Sequence, residues 1–205
     1  MAAGRGSPVV PYPVAMRRPR LRKIVEWAVT LGVVAGVVLA FEAEVAQPFR
    51  VPSSSMSPTL VCARPGPGCT ATFDQRVIVA RIVYELRDPQ RGEIAVFHAP
   101  PAAKQECREG GIFLKRVIGV PGDVVSERRG YVYVDGKRLE EPYVVPRERD
   151  FMTKKWARLG PGQYFVMGDN RSDSCDSRTW GPVPRSSFIG PVVATYWPLS
   201  RLGVS

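Results

Sequence analysis

Ile112-Phe113-Leu114-Lys115-Arg116-Val117-Ile118 is an apolar run, rich in β-branched residues, that holds two adjacent cations. Its composition predicts a strand. Alternate side chains of a strand share a face, so Phe113, Lys115 and Val117 fall on one side and Leu114, Arg116 and Ile118 on the other. Arg116 can then stay solvated while Lys115 is enclosed by apolar neighbours, and desolvation lowers a lysine pKa by disfavouring the ammonium. The plainer alternative is a lysine whose stem packs while its amine reaches the rim of the sheet. The distinction matters because the 205-residue chain has a single histidine, His98, so hydrolytic chemistry would need another general base.

The segments on either side of this run are of the same kind. Residues 76–84, 93–97, 112–120, 130–134, 163–167 and 191–197 are rich in β-branched and aromatic residues, and twenty prolines and nineteen glycines mark the joints between them. Asp135-Gly136, set between Tyr131-Val132-Tyr133-Val134 and Lys137-Arg138-Leu139, is a two-residue hairpin signal. The expected fold is mainly β: an antiparallel sheet or partly open β-barrel with a small β insertion, preceded by one membrane helix. The boundaries that follow are a basic, disordered tail over 1–23, the helix over 24–46 and a core over 47–123 and 162–200. An inserted hairpin subdomain occupies 124–161, with 147–158 as a charged surface excursion, and 201–205 is a C-terminal tail.

The helix rests on the run from Trp27 to Phe41, which carries no charge. Eighteen helical residues from Ile24 span roughly 27 Å, close to the roughly 30 Å of a hydrocarbon core. Arg17, Arg18, Arg20, Arg22 and Lys23 precede it and Glu42 and Glu44 follow, which predicts a cytoplasmic N-terminus with the rest outside. A cleavable signal peptide ending at Val38-Leu39-Ala40 is the competing reading. Beyond residue 23 the balance is 23 basic to 19 acidic residues, so the excess positive charge sits largely in the tail. That placement suits anionic lipid headgroups and speaks against nucleic acid, which would need a basic stripe and a reading module.

Cys62, Cys69, Cys107 and Cys175 fall on the predicted outer side, where disulfides persist. Three connectivities are open; the short loop favours Cys62 with Cys69, leaving Cys107 with Cys175, and four free thiols remain the alternative. Their spacing does not fit a zinc site, and no metal or organic cofactor is expected.

Pro52-Ser53-Ser54-Ser55-Met56-Ser57-Pro58-Thr59-Leu60 lies about a dozen residues after the apolar run. The prolines deny it a helix interior, and an extended backbone would put Ser53 and Ser55 on one face. Two hydroxyls facing one site suit acyl transfer: one attacks a carbonyl, the other helps hold the developing oxyanion. A neutral amine on Lys115 could take the serine proton. A third segment, Gly168-Asp169-Asn170-Arg171-Ser172-Asp173-Ser174-Cys175-Asp176-Ser177-Arg178, is dense in turn formers and by itself reads as a hydrogen-bonded surface loop.

The serine segment, the strand over 74–84, Arg91 to Phe97, Lys115 to Asp123 and Gly168 to Gly181 occur in the order that resembles bacterial type I signal peptidases. These are membrane serine proteases that remove signal peptides from exported preproteins, and the resemblance runs from Ile24 to Pro198. It implies Ser55 as nucleophile, Lys115 as general base and Ser53 as oxyanion donor beside the Ser55 amide. It also implies Ser174 as the residue orienting the lysine, and Asp176 and Arg178 as a supporting ion pair. Phe49, Val51, Met56, Leu60, Phe113 and Leu114 fall where the family builds its substrate groove. The implied partners are exported preproteins and the lipid bilayer, and the implied state is a monomer. Two departures stand out: Asp74-Gln75-Arg76 where Gly-Asp-Arg is usual, and Ser172-Asp173 where Asp-Asn or Asn-Asn is common. A penicillin-binding enzyme is excluded by the absence of a Ser-x-x-Lys spacing. The remaining rivals are a Ser/Lys autoprotease and a non-catalytic binding domain.

Overall fold

The computed structural model describes residues 19–44, 46–108 and 110–204. They fall into two units dividing between Ala40 and Phe41. The first holds most of helix α1 (Pro19–Glu44), which begins five residues earlier than expected; the rest of the expected basic tail, residues 1–18, lies outside the described residues. Among the described residues no helix is long and apolar enough to cross a membrane. Charges interrupt the start of α1, where Arg22, Lys23 and Glu26 sit together.

The second unit is mainly β and antiparallel. Its strands are β1 (Ala46–Arg50), β2 (Arg76–Ala80), β3 (Ile94–His98), β4 (Ile112–Gly119), β5 (Val125–Arg128) and β6 (Tyr131–Val134), followed by β7 (Lys137–Arg138), β8 (Lys154–Lys155), β9 (Gln163–Met167), β10 (Val183–Pro184), β11 (Phe188–Trp197) and β12 (Gly203–Val204). The main sheet runs β1-β2-β11-β3-β4-β9-β10, with β12 also on β11. It is not closed into a barrel; the mainly β, antiparallel sheet expected from the sequence is what forms. β1 and β10 end the path, and β10 is a two-residue strand finished by Pro184, which has no N–H to continue a ladder.

A separate four-stranded sheet, β7-β6-β5-β8, is built from the residues after Asp123. Asp135 and Gly136 both adopt positive φ, 50° and 80°, as a two-residue turn between β6 and β7 demands. The stretch read as one strand from Arg76 to Tyr84 is instead β2 followed by helix α2 (Arg81–Leu86). Tertiary packing overrides strand propensity there: Tyr84 is buried edge-on to Phe188 and its hydroxyl reaches Glu93 at 3.2 Å. Helix α3 (Pro101–Glu106) opens on a proline at its first turn, where the missing N–H costs nothing. Helix α4 (Ser177–Trp180) is capped by Asp176.

Two buried clusters flank the serine and lysine segments. Phe97, Val117, Tyr164, Val166, Trp180 and Phe188 form one, with Phe113 against it; Val51, Met56, Leu60, Val77, Val96 and Val192 form the other. Lys115 pairs across the sheet with Ala95 of β3, and Arg116 with Met167 of β9.

Candidate active site

The serine segment is a single 3-10 turn, Ser54–Met56, entered by an extended Ser53. This differs from the extended run expected, because the Ser57 N–H turns back to the Ser54 carbonyl at 2.9 Å. The expected neighbours still meet: Ser53 Oγ lies 3.2 Å from Ser55 Oγ.

β4 delivers the lysine to the same place. Lys115 Nζ is 2.5 Å from Ser55 Oγ although sixty positions separate the residues, and both are buried at 5% and 7% exposure. The Lys115 amine lies 5.8 Å from the centre of the Phe113 ring on the shared strand face. Arg116 does point the other way, yet it is not solvated as expected. Its Nη2 and Nε pair with Asp169 at 2.6 and 2.8 Å, its Nη1 donates to the Gly92 carbonyl, and its guanidinium stacks 3.9 Å from the Tyr143 ring centre.

The loop over 168–178 wraps this centre. The Asn170 N–H donates to the Ser55 carbonyl at 3.1 Å, and Thr59 Oγ1 donates to Asp169 at 2.6 Å. A Cβ added at Gly168 would overlap Ser174 Oγ and the Ser55 carbonyl oxygen, so the loop approaches the Ser54–Met56 turn as closely as glycine permits. Ser174 therefore stands at the site, but its buried hydroxyl has no hydrogen-bond partner among the described residues.

Asp176 is fully buried and accepts from Arg178 Nε and Nη2, each at 2.8 Å, and from the Gly168 N–H at 3.0 Å. Burial pushes its carboxyl up, but the Arg178 hydrogen bonds and charge, the Gly168 amide and the Lys115 charge more than offset that, holding it below its ordinary value. Arg178 is stripped of water, which favours the neutral form, yet its acidic partners win and raise its pKa further. Besides Asp176 it pairs with Asp150, and it donates to the carbonyls of Arg171 and Ser174.

The sequence reading missed a second layer. Asp150, placed in a surface excursion, contacts Arg178, and buried Arg171 pairs with Glu141. Glu127, on β5, is 1% exposed, and neither carboxylate oxygen meets a donor among the described residues. Burial first, then the Asp150 charge, pushes its carboxyl up to about 7 against the opposing pull of Arg178 and Arg171. Isolated glutamate and aspartate in charged stretches gave no periodic signal for this.

A cleft of about 940 Å³ opens beside the serine and lysine, lined by Phe49, Val51, Met56, Phe113 and Leu114 together with Ser53, Ser55, Lys115 and Ser174. Leu60 does not line it and is 2% exposed in the core beneath, because the chain has turned away after Pro58. Both disulfides form in the favoured pairing, Cys62–Cys69 and Cys107–Cys175. At the first departure from the resemblance, buried Gln75 accepts from the Val61 N–H at 3.1 Å and donates to Thr195 at 2.9 Å, so it ties the serine segment's exit to β11. Among the described residues no group of His, Cys, Asp or Glu could hold a metal.

A hydroxyl and an amine in contact at the end of an apolar cleft, with a second hydroxyl alongside, define a site suited to acyl transfer. Residues 24–197 match the family described as signal peptidase, peptidase S26, and the chain belongs to that family. It is 40% identical over 174 residues to "Probable signal peptidase I-2" of Synechocystis sp., covering 83% of this chain and 73% of that one. It is 37% identical over 182 residues to signal peptidase I of Leptolyngbya laminosa, covering 88% and 83%. Signal peptidase IB of Staphylococcus aureus is 30% identical over 196 residues, covering 88% and 93%.

Proposed function

We propose that this protein is a membrane-anchored serine endopeptidase that cuts signal peptides from exported preproteins after small residues. The observation that carries the reading is the 2.5 Å approach of Lys115 Nζ to Ser55 Oγ in a buried site at the mouth of the cleft. A preprotein lies in the cleft as an extended strand, with two alternate side chains turned toward the wall of Val51 and Phe113. Alanine fits such shallow pockets and larger side chains do not, because overpacking a rigid wall costs about 1–3 kcal/mol.

Ser55 Oγ attacks the carbonyl carbon as the neutral Lys115 amine takes its proton, and burial favours that neutral form by excluding water from the ammonium. The oxyanion that forms accepts from the Ser53 hydroxyl and the Ser55 N–H, a donor of this kind contributing about 10²–10³ in kcat. Lys115 returns the proton to the leaving amine, and a water activated by the same amine then hydrolyses the acyl-enzyme. Asp176 and Arg178 hold the loop that frames the lysine. Ser174, a few ångströms from the nucleophile's backbone, is the orienting hydroxyl once a proton is drawn toward Lys115. The site needs no cofactor, and the chain acts as a monomer.

The anchor is α1. Trp27, Val29, Leu31, Val33, Val37 and Leu39 are all exposed, an apolar surface on every side that suits lipid, with Arg22 and Lys23 at the headgroups on the cytoplasmic side. The catalytic unit then stands outside, where both disulfides persist.

The test is to incubate the detergent-solubilised protein with a preprotein whose signal peptide ends in Ala-x-Ala and to sequence the new N-terminus. Cleavage after that alanine by the wild type, lost in Ser55→Ala and in Lys115→Ala, is expected. Undiminished cleavage by either variant would refute the reading.

A further inference from the structure

The residue before the nucleophile, Ser54, is held more tightly than a serine in a surface loop needs to be. It is buried, and its hydroxyl donates to Asp173 Oδ2 at 2.5 Å. Its carbonyl accepts from the Ser57 N–H at 2.9 Å and from Asn170 Nδ2 at 3.4 Å. Asp173 is itself fixed, its N–H donating to the Asn170 carbonyl at 3.2 Å. Gly68, in the loop closed by Cys62–Cys69, lies directly on the pair with φ +68°. A Cβ there would come within 2.6 Å of Ser54 Oγ and 2.8 Å of Asp173 Oδ2.

Two of these contacts, from the Ser57 N–H and Asn170 Nδ2, act on the Ser54–Ser55 peptide, and the Asp173 bond holds the side chain on the same residue. A trans peptide is planar, with its C=O and N–H pointing in opposite directions. Donors that pin the Ser54 carbonyl therefore also aim the Ser55 N–H, which belongs to the same plane. We propose that Asp173 is a positioning residue: through the Ser54 hydroxyl it fixes the Ser54–Ser55 peptide so that the Ser55 N–H meets the oxyanion. This rests on the assignment of Ser55 as nucleophile. It gives a role to Asp173, the position where the sequence departs from the resemblance, and to Ser54, which the mechanism otherwise leaves idle. A carboxylate suits the task because it accepts without competing as a donor for the Ser54 carbonyl.

The experiment compares wild type, Ser54→Ala, Asp173→Ala, Asp173→Asn and the Ser54→Ala/Asp173→Ala double variant on an Ala-x-Ala preprotein. It measures kcat and KM separately across pH and follows melting temperature, with Ser55→Ala as control. Either alanine variant should lower kcat by about 10- to 100-fold, the loss expected of a small misalignment of catalytic groups, with KM within twofold. The double variant should be no worse than the poorer single one. Asp173→Asn should recover most of kcat, because its amide oxygen still accepts from Ser54. The acid limb of the pH profile, set by Lys115, should not move in any of them. Unchanged kcat in Ser54→Ala, multiplying losses in the double variant, or a loss confined to KM in Asp173→Ala would each overturn the proposal. Should Asp173→Ala fail to fold, Ser54→Ala, which removes a single oxygen, carries the test alone. Full activity in Ser55→Ala would instead refute the nucleophile assignment, whereas an inactive Ser55→Ala beside an unaffected Ser54 and Asp173 series refutes only the positioning role.

Discussion

Replacing Glu127 by glutamine should change how the stability of this protein depends on pH. Glu127 is buried on β5 beside Asp150, with Arg178 and Arg171 as the cations that face it, and its carboxyl is pushed from an ordinary 4.5 up to about 7. The folded state therefore binds this proton more tightly than the unfolded chain does. Its contribution is fully present below 4.5, falls as pH rises, and is a constant penalty above about 7. At about 1.36 kcal/mol per pH unit between the two values, the wild type loses about 3 kcal/mol from this group between pH 4 and pH 9. Glutamine has nearly the same shape and cannot ionise, and every other titrating group is common to both proteins, so the difference between their curves isolates residue 127. For a unit of this size about 3 kcal/mol corresponds to about 6–12 °C in melting temperature. Thermal unfolding at half-unit pH steps should show the wild type falling behind Glu127→Gln by that amount, most steeply between pH 5 and 7. A separation that stays constant from pH 4 to 9 would refute the raised carboxyl of Glu127.

Arg178→Ala strips the counter-charge from the buried Asp176 carboxylate and should cost about 3–5 kcal/mol in denaturant unfolding; pairing it with Asp176→Ala should recover part of that loss. Gly168→Ala forces a methyl against Ser174 and the Ser55 carbonyl, so preprotein cleavage should fall by about 10²-fold or more, since a shift near 1 Å has that effect; a fully active variant would show that the loop is not seated as described. Arg116→Ala leaves Asp169 without its guanidinium and should lower melting temperature, while turnover per folded molecule falls far less than in Lys115→Ala. Equal turnover losses would contradict the placement of these two residues on opposite faces of β4.

Much of this was legible before any coordinates, and for identifiable reasons. The two-residue period of a strand separated Lys115 from Arg116, and Asp135-Gly136 located a turn, because both signals are local. The disulfide pairing followed from the short spacing of Cys62 and Cys69. What escaped was set by contacts distant in sequence. Nothing local distinguishes Tyr84 in a strand from Tyr84 in a helix; its burial against Phe188 decides that. Leu60 was placed in the groove by motif position, although the turn after Pro58 sends it into the core. Strand alternation leaves Arg116 free to be solvated, and nothing local reveals its acceptor, Asp169, 53 positions away.

The same distance effect explains why the turn-rich loop over 168–178 matters more than its composition suggests. The serine turn and β4 meet where Lys115 bonds to Ser55, and the loop bonds to both. Asn170 and Asp173 hold the backbone of Ser55 and the side chain of Ser54, Asp169 joins Thr59 to Arg116, and Asp176 lies close enough to Lys115 to feel its charge. One segment thus contacts both the serine turn and the lysine strand, and Arg178 joins it to Asp150, in the stretch that leads into β8. Groups linked in this way share their effect, so removing any two of Asn170, Asp173 and Asp176 should cost less than the sum of the single losses.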